Sequence, residues 1–180
     1  QHNAFRAPGA ASIERLKMRM KKTEYFKDLF SAMHRNIVSH PSHLDGSSVE
    51  QLSQMNFVFI CIDNGEAKKA IVEFLEMNGI EFVDVGMGLQ RVNDELIGIA
   101  RVTSSTKNKR DHLRNRVSFS AVADNEYTRN IQIADMNALN AALAVIRWKK
   151  LSGFYQDLEK ENHTTYTINT GQLINEDLEA

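Results

Sequence analysis

Cysteine and proline are nearly missing from this sequence, which has one cysteine, Cys61, and two prolines, Pro8 and Pro41, in 180 residues. A lone cysteine excludes an intrachain disulfide framework and any zinc site built from several thiolates, and it points to a reducing, cytoplasmic setting. Net charge is missing too. Lys and Arg number 22 against 23 Asp and Glu, a formal charge of −1, so no overall field recruits nucleic acid or an anionic membrane. No apolar run approaches the roughly 20 residues that span a bilayer, and the chain lacks a signal-like start. It begins at Gln1 rather than methionine, as a processed or shortened chain would. What remains is ordinary for a folded protein, 42% hydrophobic and 25% charged, with length for one domain over residues 1–180.

The pattern of apolar residues predicts an α/β fold: a Rossmann-like, mostly parallel sheet flanked by helices, with antiparallel edge strands, a long C-terminal helix and a terminal hairpin. Leu16, Met20, Tyr25, Phe26, Leu29, Phe30 and Met33 recur at helical spacing between Ile13 and His34, with Ser12 as N-cap and a possible break near Lys22. Asn36–His40 reads as a short extended piece, and Asp45-Gly46-Ser47-Ser48 as a turn into a short helix carrying Val49 and Leu52. Phe57–Ile62 is a continuous apolar run of the kind buried on both faces of a parallel sheet, so a central strand is expected there. Asp63-Asn64-Gly65-Glu66 ends it. Ala67, Ala70, Ile71, Phe74 and Leu75 then form a helical stripe that stops at Asn78-Gly79, and Ile80–Val85 is the next strand, completing a βαβ unit. Gly86-Met87-Gly88 breaks the pattern before a hairpin turning at Asn93-Asp94. A polar stretch from Lys107 to Arg116 reads as an ordered loop or a mobile crossover. Residues 130–154 form a helix apolar nearly all round, which must be sandwiched, and Thr164–Ile174 a hairpin followed by a frayed acidic tail.

Ligands of parallel α/β sheets bind beyond the carboxyl ends of the strands, which draws attention to Asp63-Asn64. A carboxylate there could hold Mg²⁺ against phosphate oxygens, or either residue could simply cap the following helix. Cys61, inside the predicted strand, reads as packing. His34, His40 and His43 match no standard zinc spacing. The cations Lys107, Lys109, Arg110, Arg114 and Arg116 lack interleaved aromatics and read as a solvated loop.

Phe57-Val58-Phe59-Ile60-Cys61-Ile62-Asp63-Asn64 resembles the strand and Asp-Asn turn of the ThiF/MoeB/HesA family of ubiquitin-activating-like adenylation domains. Asn3-Ala4-Phe5-Arg6 is similar to that family's Asn-Leu-x-Arg element. The resemblance implies that Asp63 is the magnesium-associated catalytic carboxylate, that Asn3 and Arg6 touch ATP phosphates, and that Asn64 lies at the nucleotide site. It also implies a phosphate-binding lysine, for which Lys22 is the best match. The interval from Arg6 to Lys22 is longer than is usual for the family, so Lys21 stays a rival. The glycine-rich nucleotide loop would lie upstream of Gln1, making this the C-terminal part of such a domain, inactive alone. By the same resemblance the cofactors are ATP and Mg²⁺ and the substrate is the C-terminal carboxylate of a ubiquitin-like or sulfur-carrier protein. The long helix is expected to be buried in a homodimer.

Two other readings use the same architecture. The chain could be a non-catalytic dimerisation or partner-docking module, or part of a nicotinamide-dependent oxidoreductase, for which no fingerprint is present.

Overall fold

The computed structural model describes residues 11–119 and 133–179. Two short helices come first, α1 (Ile13–Lys17) and α2 (Lys22–Phe30). Ser12 caps α1 by accepting from the Arg15 amide at 3.3 Å. The expected helix is thus broken where foreseen, between Met18 and Lys21, where Arg19 adopts a positive φ. Asn36–His40 forms no strand, and Asn36 itself is left-handed. A 3₁₀ turn, Val49–Gln54, then leads into the sheet.

The sheet has five strands in the order β1 (Phe57–Ile60), β2 (Glu81–Val92), β3 (Glu95–Ser105), β4 (His163–Thr167) and β5 (Gln172–Glu176). β1 and β2 are parallel and joined by helix α3 (Gly65–Met77), the βαβ unit that the periodicity predicts. The other three pairings are antiparallel. The described architecture is therefore mixed α/β, and two expectations are corrected. The sheet is mostly antiparallel rather than mostly parallel, and β1 lies at its edge rather than its centre. Short hairpin connections impose the first on two of the pairs, β2–β3 and β4–β5, whereas β3 and β4 are antiparallel although residues 106–162 lie between them. The second follows from β1 having a single neighbour among the described residues, which leaves Phe59 41% exposed.

β2 also runs on through Gly86-Met87-Gly88, where a break was expected. Gly86 faces Arg101 across the ladder, and a Cβ at that position would run into the Arg101 guanidinium. The glycine permits a close cross-strand approach instead of ending the strand. At the hairpin tip Asn93 and Asp94 both have positive φ, as a two-residue turn between twisted strands requires.

Side chains alternate between the two faces of the sheet. One face meets α3 and the short helix α4 (Leu113–Arg116), and there Ile60, Ile71, Val72, Leu75, Phe82, Leu113 and Val117 form the larger apolar cluster. Each such side chain contributes about 1.5–3 kcal/mol by leaving water. On the other face α5 (Ala134–Leu151) places Ala144 and Leu143 over Val83, Val85 and Val102. α5 is buried at Met136, Asn140, Ala144 and Arg147, one stripe only; Leu139, Val145, Ile146 and Trp148 stay partly exposed. The expected sandwich is absent among the described residues.

The acidic tail is not frayed. Arg116 binds Glu176 at 3.0 Å and Asp177 at 2.8 Å, and the Thr106 hydroxyl donates to Glu179 at 3.0 Å. The same contacts order the 107–116 stretch, where Arg110 also donates to the Glu76 carbonyl. No described helix is long and apolar enough to cross a membrane.

Candidate functional site

β1 ends at Ile60, whose Cα partner is Asp84 on β2, so the segment Cys61–Asn64 leaves the sheet at the carboxyl end of its parallel pair. Asn64 is committed to structure, because its Oδ1 accepts from the Ala67 amide at 3.0 Å and caps α3. Asp63 is not the cap. It is exposed and forms no hydrogen bond or ion pair among the described residues.

Of the two candidate lysines, Lys21 is engaged: its ammonium donates to the Pro41 carbonyl at 3.1 Å. Lys22, the first residue of α2, is exposed, and its charge is felt at the Cys61 thiol, two residues from Asp63. Desolvation first, and the Asp84 carboxylate second, push that thiol above its ordinary pKa, while Lys22 and Lys68 pull it down. Cys61 itself is exposed, which corrects the expectation of a buried packing residue. The strand ends one residue before it, so protein crowds the sulfur without enclosing it. Asn3 and Arg6 lie outside the described residues.

Beneath this rim is an ion cluster that sequence patterning missed. Asp84 is fully buried, with the Lys68 ammonium 2.9 Å from Oδ1 and Arg101 Nη2 3.5 Å from Oδ2. Lys68 lies off the hydrogen-bonding direction of Oδ1, so charge rather than a directed bond holds that pair. The signal was available. Lys68 falls on the apolar stripe of α3, three and seven residues before Ile71 and Leu75, and Asp84 interrupts an apolar strand; a cation and an anion at two buried positions call for one another.

An open depression of ≈ 400 Å³ lies beside the start of α3, lined by Asp45, Gly46, Ser47, Asn64, Glu66, Ala67 and Ala70. Hydrogen bonds from the Ser47 hydroxyl and amide hold the Asp45 carboxyl below its usual range, so Asp45 stays ionised, and with Glu66 it makes this rim unsuited to phosphate. The described residues hold no cluster of three or more His, Cys, Asp or Glu able to bind a metal ion, His34, His40 and His43 included.

No family model matches the chain, and no curated protein matches it. Among solved structures it is similar to one described as the crystal structure of SeMet PaaA, with a TM-score of 0.60 and 14% sequence identity. The match covers 87% of this chain and 55% of that one, so the chain spans about half the length of this neighbour. At that identity the likeness is one of fold.

Proposed function

We propose that this chain is the C-terminal portion of a ThiF/MoeB-type adenylation domain with a Rossmann-like sheet. Its parent would activate the C-terminal carboxylate of a ubiquitin-like or sulfur-carrier protein as an acyl-adenylate. One observation carries the reading: Asp63 stands exposed and uncommitted at the carboxyl end of a parallel strand pair, beside a cysteine that senses the charge of Lys22.

In that reaction a carboxylate oxygen of the carrier attacks the α-phosphorus of ATP, and the bond to the pyrophosphate oxygen breaks. The product is a mixed anhydride. Side chains then have little covalent work, and their part is to position the anions and offset charge. Lys22 would meet phosphate as a compact cation. By the resemblance, Arg6 and Asn3 would add donors, and Asn64 would shape the turn while it caps α3. A single free carboxylate suits Mg²⁺, which takes one or two protein carboxylates and completes its shell with phosphate oxygens and water. Bound at Asp63, that ion would neutralise phosphate charge. The isolated chain is expected to be inactive.

The test is carrier-dependent ATP–pyrophosphate exchange in the parent enzyme. Asp63→Ala should lower exchange by at least ~100-fold, and because Asp63 makes no described contact, the melting temperature should not move. Undiminished exchange would refute the role. A second reading, a non-catalytic dimerisation or docking module, is favoured by the partly exposed outer face of α5 and by the edge position of β1. A dimer that buries this face, with exchange absent from the parent protein, would select it.

A further inference from the structure

Asp84 answers two cations, so the cluster beneath the rim carries one positive charge more than it balances. The surplus belongs to Arg101. Lys68 is the nearer cation and is 6% exposed at its side chain, whereas the Arg101 side chain is 26% exposed and its Nε is buried without an acceptor. A guanidinium has five N–H donors, and a shared carboxylate at 3.5 Å leaves most of them unanswered.

Among the described residues the surface around Arg101 is lightly covered. Alternation along the strands places Gly86, Gly88, Ile99, Thr165 and Ile174 on the same face as Arg101, beyond the row Asp84, Thr103, His163. Two of these positions have no side chain, Gly88 has open space where a Cβ would stand, and Ile99 and Ile174 are nearly half exposed. This strip starts in β2, the strand paired to β1, so an occupant lying on it runs toward the Cys61–Asp63 segment.

We propose that Arg101 is a carboxylate-binding residue, and that the glycine-floored strip seats an extended peptide bearing that carboxylate. Charge complementarity selects the occupant: a site with one cation in excess, a flat apolar floor and a planar fork of donors fits an acidic, extended chain rather than a helix or a basic segment. The identification of that peptide with the tail of the carrier protein rests on the function proposed above; the anion site itself does not.

The experiment follows the Arg101 Nε–H resonance in ¹⁵N-labelled protein, assigned by its loss in Arg101→Lys. Three probes separate the sources of a carboxylate: acetyl-triglycine as free acid, the same peptide as its C-terminal amide, and acetyl-Gly-Asp-Gly amide. A saturable shift with the free acid and not with its amide marks a chain terminus as the ligand, and one with the aspartyl peptide marks an acidic side chain. Either supports the site, and Arg101→Gln should then weaken binding at least ~10-fold, read from the backbone amides of Gly86 and Gly88. Equal shifts with all three probes, or none, would overturn it. Failure of pyrophosphate exchange in the parent enzyme would remove the carrier reading without touching this result.

Discussion

Arg147 and Lys150 on α5 meet Asp157 and Glu161, two cations against two carboxylates, whereas across the sheet Asp84 alone answers both Lys68 and Arg101. The first cluster is also well bonded. Arg147 donates to Asp157 at 2.6 Å, to Ser104 at 3.1 Å and to Asn162 at 3.3 Å, and Ser104 in turn donates to Asn162 at 2.8 Å; only Glu161 Oε2 lacks a donor. In the second, Asp84 Oδ1 and Arg101 Nε are both without a directed partner. A balanced and nearly saturated network ties α5 and the 157–162 loop to β3, and it leaves little capacity for a ligand. An unbalanced one at the open end of the sheet retains that capacity. The two clusters therefore separate structural from functional use of buried charge within one small sheet.

The largest effect should come from breaking the balanced side. Arg147→Met takes from Asp157 its 2.6 Å partner and leaves Lys150 alone to answer two carboxylates, and removing one partner of a buried ionic network costs about 3–5 kcal/mol. Urea denaturation at pH 7 reads it, and a loss no greater than that of Arg101→Met would end the distinction. Acid attacks the opposite face of the sheet next, the one that carries Arg101. Burial first, and Arg116 second, lower the His163 pKa from 6.5 to about 4, with Glu176 and Asp177 opposing and Arg101 adding to the effect. The unfolded chain binds this proton near pH 6.5 and the folded chain only near pH 4, so His163 costs nothing above pH 6.5. Stability then falls as pH drops from 6.5 toward 4, by roughly 3 kcal/mol at most. His163→Gln keeps a group able to bond Thr103 and should flatten that limb; an unchanged acid limb would show that His163 is not its source.

On the unbalanced side the costs should be smaller and unequal. Lys68→Met removes the nearer, buried cation but leaves Arg101 to answer Asp84, and should cost about 1–3 kcal/mol. Arg101→Met, at a side chain partly in water with its carboxylate still held by Lys68, should cost less than about 1 kcal/mol. The reverse order would mean that Arg101 is the structural cation and that its charge is not in surplus.

The same contrast explains what could be read from the sequence. The βαβ unit, the Asn93-Asp94 turn, helix α5 and the terminal hairpin were legible because periodicity and turn chemistry are local. Strand order and direction were not, since nothing local to Phe57–Ile62 states how many neighbours that strand has, and a buried run reads alike at the centre and at an edge. Gly86 read as a break because its partner, Arg101, lies 15 positions away and only pairing reveals the need for a missing side chain. The tail looked free because Arg116 and Thr106, which hold it, are far off in the chain. At the candidate site Asp63 and Lys22 were nameable from a resemblance, while Lys68, Asp84 and Arg101 were visible only as charges at positions where charge is costly.

The smallest effect expected is also the most direct probe of the rim. Cys61 is exposed, and its thiol is pushed above the usual range, so alkylation by iodoacetamide at pH 8 should be slower than for a free thiol and should rise with pH beyond the ordinary thiol midpoint. Lys22 works against that shift. Lys22→Ala should therefore raise the thiol pKa further and slow alkylation at pH 8 by roughly twofold, an effect that weakens as salt rises because the charge acts through water-exposed surface. Lys21→Ala should leave the rate alone, since that ammonium is turned to the Pro41 carbonyl. If Lys21 rather than Lys22 sets the rate, the two lysines exchange roles at the rim, and the cation facing Asp63 is the one committed to the 41 turn. If neither does, α2 does not present a cation there, and Asp63 loses the neighbour on which its assignment to phosphate chemistry depends.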